Sequence, residues 1–163
     1  MLPKARSSFL GSGISWITKG SIRQNCISYS VEKLKRKLKA LICRKWSISL
    51  DARFEKLRQQ IVGWVNYFRI AKMKTVLLEI DSKLKKRIRV IIWKQWKKIC
   101  KRYESLRKLG ATHMNALMTA NCRKGYQYVC STATIHATIT NKRLEQRGLV
   151  SLSNLFAKVQ LAV

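Results

Sequence analysis

From Ser30 onward, apolar residues recur at helical spacing: Val31, Leu34, Leu38 and Leu41 line one side while Lys33, Lys35, Arg36, Lys37 and Lys39 cover the other. This pattern predicts a short basic helix ending near Cys43. Ser49 followed by Asp51 reads as a second helix start, because a hydroxyl accepts an orphan first-turn amide and a carboxylate faces the positive end of the helix dipole. Leu50, Phe54, Leu57, Ile61, Val65 and Phe68 then form a stripe wide enough for a bundle core, with Trp64 expected inside beside Phe68. A third helix is expected to open near Thr75 and to carry Leu77, Ile80, Leu84, Ile88, Ile91, Ile99, Tyr103 and Leu106 to a stop at Gly110. That run is long, so a break is expected between Lys97 and Cys100.

The character of the chain shifts after Gly110, where charge thins and Thr, Ala and Asn become common. A helix over 111–120, a short extended piece over 125–129, a helix over 135–146 stopped by Gly148, and a last helix capped by Ser151 follow from the periodicity. The first thirty residues are the least regular, with Gly11, Gly13 and Gly20 punctuating β-prone runs such as Ile14 to Thr18. The predicted fold class is therefore mainly all-α: a basic helical bundle over 30–110, preceded by a short β-prone tail over 1–29. A small, mostly helical C-terminal extension occupies 111–163.

Charge changes the picture. Lys and Arg number 35 against 7 Asp and Glu, a formal charge of +28 over 163 residues. Such an imbalance makes phosphate-rich polymers the leading partner class and acidic membrane surfaces the second. A hydrophobic share of 47% is enough for a core, so the chain is not a disordered basic tail. The central apolar run Val90-Ile91-Ile92-Trp93 falls far short of the roughly 20 residues that span a bilayer, and no membrane crossing is expected. A membrane-surface role is set aside because the apolar helix face is needed for bundle packing.

The cations are ordered. At about 100° per residue on one helix, Lys83, Lys86, Arg87, Lys94, Lys97, Lys98 and Lys101 share an arc of roughly 120°, while Leu84, Ile88, Ile91, Ile92 and Ile99 point the other way. Such a ladder matches the repeating charge of a nucleic-acid backbone and is self-repulsive without one. These seven residues, with Lys35, Arg36 and Lys39 of the first helix, are the candidate RNA contacts. Trp93 lies at the border of the cationic face, where stacking on a base and wedging against a neighbouring helix are both open; Trp96 is expected to pack. Arg123-Lys124-Gly125-Tyr126 combines bases, a flexible Gly and an aromatic, a short pattern suited to gripping a nucleic-acid backbone.

Catalytic patterns are not found. Glu79 and Asp81 diverge on a helix, and Asp51 with Glu55 is surrounded by Arg53, Lys56 and Arg58, so no carboxylate pair is placed to hold two metal ions. His113 and His136 lie apart from any metal-ligand pattern. The five cysteines are odd in number and scattered, which predicts reduced thiols rather than a disulfide framework or zinc site. No catalytic residue, metal, cofactor or small-molecule substrate is expected. The setting expected is intracellular, a bacterial cytoplasm, with an organelle as the alternative.

Several blocks taken in order resemble the maturase-specific region, also called domain X or the thumb, of group II intron reverse transcriptases. They are Ile61-Val62-Gly63-Trp64-Val65-Asn66-Tyr67-Phe68-Arg69, Leu84-Lys85-Lys86-Arg87-Ile88-Arg89 and Trp93-Lys94-Gln95-Trp96-Lys97-Lys98. Arg107-Lys108-Leu109-Gly110, Arg123-Lys124-Gly125-Tyr126 and Leu149-Val150-Ser151-Leu152 follow, so the likeness covers roughly 30–160. Phe9-Leu10-Gly11 is similar to the strand that precedes the thumb, with Ser12 where an aromatic is usual. The resemblance implies a helical thumb that clasps intron RNA and helps it reach its splicing-competent form. Neither a Y-A-D-D-like motif nor a Cys/His endonuclease module occurs, so the expectation is a truncated piece that works without catalysis, alongside a reverse transcriptase half encoded separately. Two readings remain beside it: an inert relic of a broken mobile element, and a general basic protein of structured RNA.

Overall fold

The spacing of Val31, Leu34 and Leu38 is realised as helix α1, residues 28–41, with all three side chains buried. The structure is a computed structural model that describes residues 28–43, 48–70 and 73–161. The β-prone segments expected around Phe9 and from Ile14 to Thr18, and Cys26, lie outside the described residues. The chain divides into two compact units, Met1–Lys37 and Leu38–Val163. The described residues form helices and no strand, as the all-α expectation requires.

Within the second unit, Ser49 accepts the Ala52 amide at 3.3 Å and starts α2 (Leu50–Tyr67), with Asp51 in the first turn. Its stripe of Leu50, Phe54, Leu57, Ile61 and Val65 is buried. Trp64 and Phe68, expected inside, are half-buried at the end of the helix with ring centroids 4.7 Å apart. Helix α3 (Lys74–Gln95) changes character along its length. Leu77, Ile80, Leu84 and Ile88 make a one-sided stripe, whereas Arg89, Val90, Ile91, Ile92 and Trp93 are buried in succession. A helix buried all round at one end is surrounded there by other elements.

The break foreseen between Lys97 and Cys100 falls slightly earlier, at 96–98, before α4 (Ile99–Lys108). Side chains close in sequence meet there. The Trp96 carbonyl accepts Arg102 Nε at 2.8 Å instead of a helical amide, and Trp96 lies edge-on to Trp93 at 5.7 Å between centroids. Gly110 ends α4 at φ +93°, its amide bonded to the Arg107 carbonyl while the Ala111 amide reaches that of Leu106. This paired closure needs a left-handed residue, which is why glycine stands there.

The extension contains α5 (His113–Asn121), the single turn α6 (Tyr126–Val129), α7 (Ala133–Thr138), α8 (Asn141–Gln146) and α9 (Leu152–Leu161). Two expectations are corrected. Residues 126–129 of the expected extended piece form a helical turn capped by Gly125, with the Val129 and Cys130 amides bonded to the carbonyls of Gly125 and Tyr126. The helix predicted over 135–146 is two helices, because Thr140 caps α8 by accepting the Arg143 amide and the Ile139 carbonyl is taken by Arg89 Nε at 2.9 Å. Helix α9 packs against both α2 and α3, α4 against α5, and α6 against α3. The bundle core is thus closed by an element of the C-terminal extension.

Candidate nucleic-acid interface

Basic residues in this protein divide by chemistry. Arginines recur at positions where backbone carbonyls need donors. Arg53, 1% exposed, donates Nη1 to the carbonyls of Leu41 and Cys43, at and just past the end of α1. Arg89, 4% exposed, donates to Ile139 O at 2.9 Å and to Asn141 Oδ1 at 2.8 Å. Arg143 Nη1 donates to Leu109 O at 2.7 Å and also to Thr138 O, and Arg107 Nη1 reaches Ala111 O at 2.8 Å. A guanidinium suits this task because its fixed fork can satisfy carbonyls in two directions. Burial lowers the pKa of Arg53 and Arg89, with Cys43 and Cys130 respectively acting in the opposite sense.

Lysines are mostly outside. Lys83, Arg87, Lys94, Lys97, Lys98 and Lys101 are exposed, as are Lys35, Arg36 and Lys39 on α1. Lys86 is half-buried and close enough to Cys130 and His136 to influence both. Lys83 Nζ lies 3.7 Å from Glu79, an exposed pair one helical turn apart. Lys85 is the exception: its side chain is largely buried, 3.7 Å from Asp81 and 3.4 Å from Glu145.

The single ladder drawn from helical geometry is interrupted. Lys83, Lys86, Arg87 and Lys94 remain on α3, Lys97 and Lys98 lie in the break, and Lys101 belongs to α4. Ile99, placed on the apolar face by an unbroken helix, is 51% exposed because the chain turns before it. Trp93 is also settled by the structure: it is 1% exposed, held edge-on by Trp96 and capped by the Arg102 guanidinium 4.9 Å from the ring centroid. Stacking of its ring on a base is therefore replaced by the wedging role.

The break has a second consequence. It brings the 123–126 block up against the start of α4, where Trp93, Ile99, Arg102, Arg123, Lys124 and Tyr126 line a cleft of about 470 Å3. Lys124 Nζ sits 4.4 Å from the Tyr128 ring centroid and 3.3 Å from its hydroxyl, which steadies the loop. Tyr126 and Arg123 are exposed. Arg102 was not singled out in the sequence, where it is one more base in a basic run. Only its approach to Trp93 across the break distinguishes it.

Carboxylates here serve structure. Asp81, 3% exposed, accepts the Leu152 amide at 3.0 Å, the Ser153 hydroxyl at 2.9 Å and the Ser151 hydroxyl. Among the described residues no cluster of three or more His, Cys, Asp or Glu could hold a metal ion. His113 Nδ1 is bonded to the Tyr103 hydroxyl at 2.7 Å. Burial, then the charges of Arg89 and Lys86, lower the pKa of His136. Among the described residues no helix is long and apolar enough to cross a membrane.

Among the described residues, a helical scaffold with carbonyl-binding arginines, two of them buried, and mostly exposed lysines defines a strongly basic helical module. More particularly, residues 31–110 match the family described as group II intron, maturase-specific domain, and the chain carries such a domain. No curated protein matches the chain significantly.

Proposed function

We propose that this protein is an RNA-binding maturase module that clasps the phosphates of group II intron RNA and assists its splicing and mobility without chemistry of its own. The observation that carries the reading is the outward set of cations on α3, the break and the start of α4, on a chain of net charge +28 that contains a maturase-specific domain. Exposed lysines at these positions would neutralise phosphates and release counterions, so affinity would fall steeply as salt rises. Lys83, Lys86, Arg87, Lys94, Lys97, Lys98 and Lys101 form the proposed track, and Lys35, Arg36 and Lys39 of α1 are proposed RNA contacts in their own right. The maturase-specific unit is proposed to span 30–110, with 111–163 as an extension that braces it. A reverse transcriptase half encoded separately is the proposed protein partner, and the proposed setting is the bacterial cytoplasm.

The test is a fluorescence titration of the full chain with folded group II intron RNA and with a size-matched ribosomal RNA fragment, each at several salt concentrations. Tighter binding of the intron RNA with a steep salt dependence is expected. Equal affinity for both RNAs would favour a general basic RNA protein, and no binding to either would favour an inert relic.

A further inference from the structure

We propose that the cleft between the α3–α4 break and the α5–α6 loop takes one unpaired nucleotide of an RNA strand, its base against Tyr126 and Ile99 and its phosphate against Arg102 and Arg123. The inference rests on the RNA-binding reading above and specifies which feature of the RNA this site recognises.

Size is the first ground. About 470 Å3 lies within the range of roughly 300–1,000 Å3 typical of small-ligand clefts, enough for a nucleotide and far too little for a duplex. Bases read by proteins in RNA are commonly those splayed out of bulges and loops, where both faces can be covered.

Lining chemistry is the second. Tyr126 is 39% exposed and Ile99 51% exposed, so apolar surface is left open to water directly beside cations. A solvated phosphate alone would cover no apolar surface. A base covers it, and stacking on an aromatic tolerates any base.

The orientation of Arg102 is the third. Its Nε is committed to the Trp96 carbonyl at 2.8 Å and its guanidinium lies over the Trp93 ring at 4.9 Å, which fixes the group before any ligand arrives. No hydrogen-bond partner among the described residues takes its two terminal nitrogens, and it lines the cleft. Those nitrogens form the edge that pairs with phosphate oxygens. Arg123, exposed on the opposite lip, offers a second cation, while Lys124 is occupied with Tyr128.

Gly125 supplies a clean probe of the cleft. It lines the space at an ordinary φ of −56°, and a Cβ built on it meets nothing within 4 Å, so a larger residue adds bulk at the lining without backbone strain. The experiment uses the full chain and two RNA hairpins, one fully paired and one with a single 2-aminopurine bulge. The wild type is expected to prefer the bulged hairpin by at least about fivefold and to change the 2-aminopurine emission on binding. Gly125→Leu and Tyr126→Ala are each expected to abolish that preference, bringing the affinities for the two hairpins within about twofold of each other. Equal affinity of the wild type for the two hairpins, or a bulge preference that survives both substitutions, would overturn the assignment while the RNA-binding reading stands. Failure to bind either hairpin would overturn both.

Discussion

The carboxylate of Asp81 on α3 accepts the backbone amide of Leu152 at 3.0 Å across 71 residues of chain, so that one helix caps the start of another. Ser151 and Ser153 both donate to the same carboxylate, and Lys85 stands 3.7 Å away. Asp81→Ala would strand these donors in a buried site, and the expected cost is about 2–4 kcal/mol, with Asp81→Asn milder because one acceptor oxygen remains. Urea unfolding followed by circular dichroism measures it. A loss below about 0.5 kcal/mol would show that α9 is held by packing alone.

Lys94, Lys97 and Lys98 stand exposed at the end of α3 and in the break. Replacing all three by Gln is expected to weaken RNA binding and to flatten the slope of log affinity against log salt by about 2–3, with helicity unchanged. An unaltered slope in the same titration would remove these residues from the interface.

Arg89 is expected to behave differently although it is also a cation on α3. Arg89→Leu leaves the Ile139 carbonyl and Asn141 without their donor, at an expected cost of about 2–4 kcal/mol. Well below the melting temperature its RNA salt dependence should match that of the wild type. Unchanged thermal stability with a flattened slope would instead make Arg89 an RNA contact.

The cysteines should separate by burial under iodoacetamide at pH 8. Cys43 and Cys100 are exposed and are expected to alkylate readily, whereas buried Cys130 is expected to be protected until the protein unfolds. Burial pushes the Cys130 thiol up to about 11, with Arg89 and Lys86 pulling the other way. A thiol raised from its ordinary 9.0 in the folded state favours folding fully below that pH, and the contribution is lost as pH rises toward about 11. Stability should therefore decline across that alkaline window, and a Cys130→Ala variant should show a smaller decline. Rapid alkylation of Cys130 in the folded protein would contradict its burial.

Much of the scaffold was legible in the chain because helical periodicity and capping are local. Val31, Leu34 and Leu38, the α2 stripe, the Ser49 cap and the Gly110 stop all follow from neighbours within one or two turns. The cationic character of Lys83 to Lys101 was legible for the same reason, since exposed lysines need no partner to be recognised. The error at Ile99 came from extending one helix past the break at 96–98, where Arg102 bonds the Trp96 carbonyl.

By itself, then, the sequence determined the helical class, the start of α2, the stop of α4 at Gly110, and the outward basic face, all set by local spacing and capping. The tertiary structure decided what distant residues do to one another. It turned Trp93 inward under Arg102, split the 135–146 helix by giving the Ile139 carbonyl to Arg89, and set α9 on α2 and α3 through Asp81. The last two outcomes depend on buried polar groups finding donors or acceptors far along the chain, a requirement that no periodic pattern records.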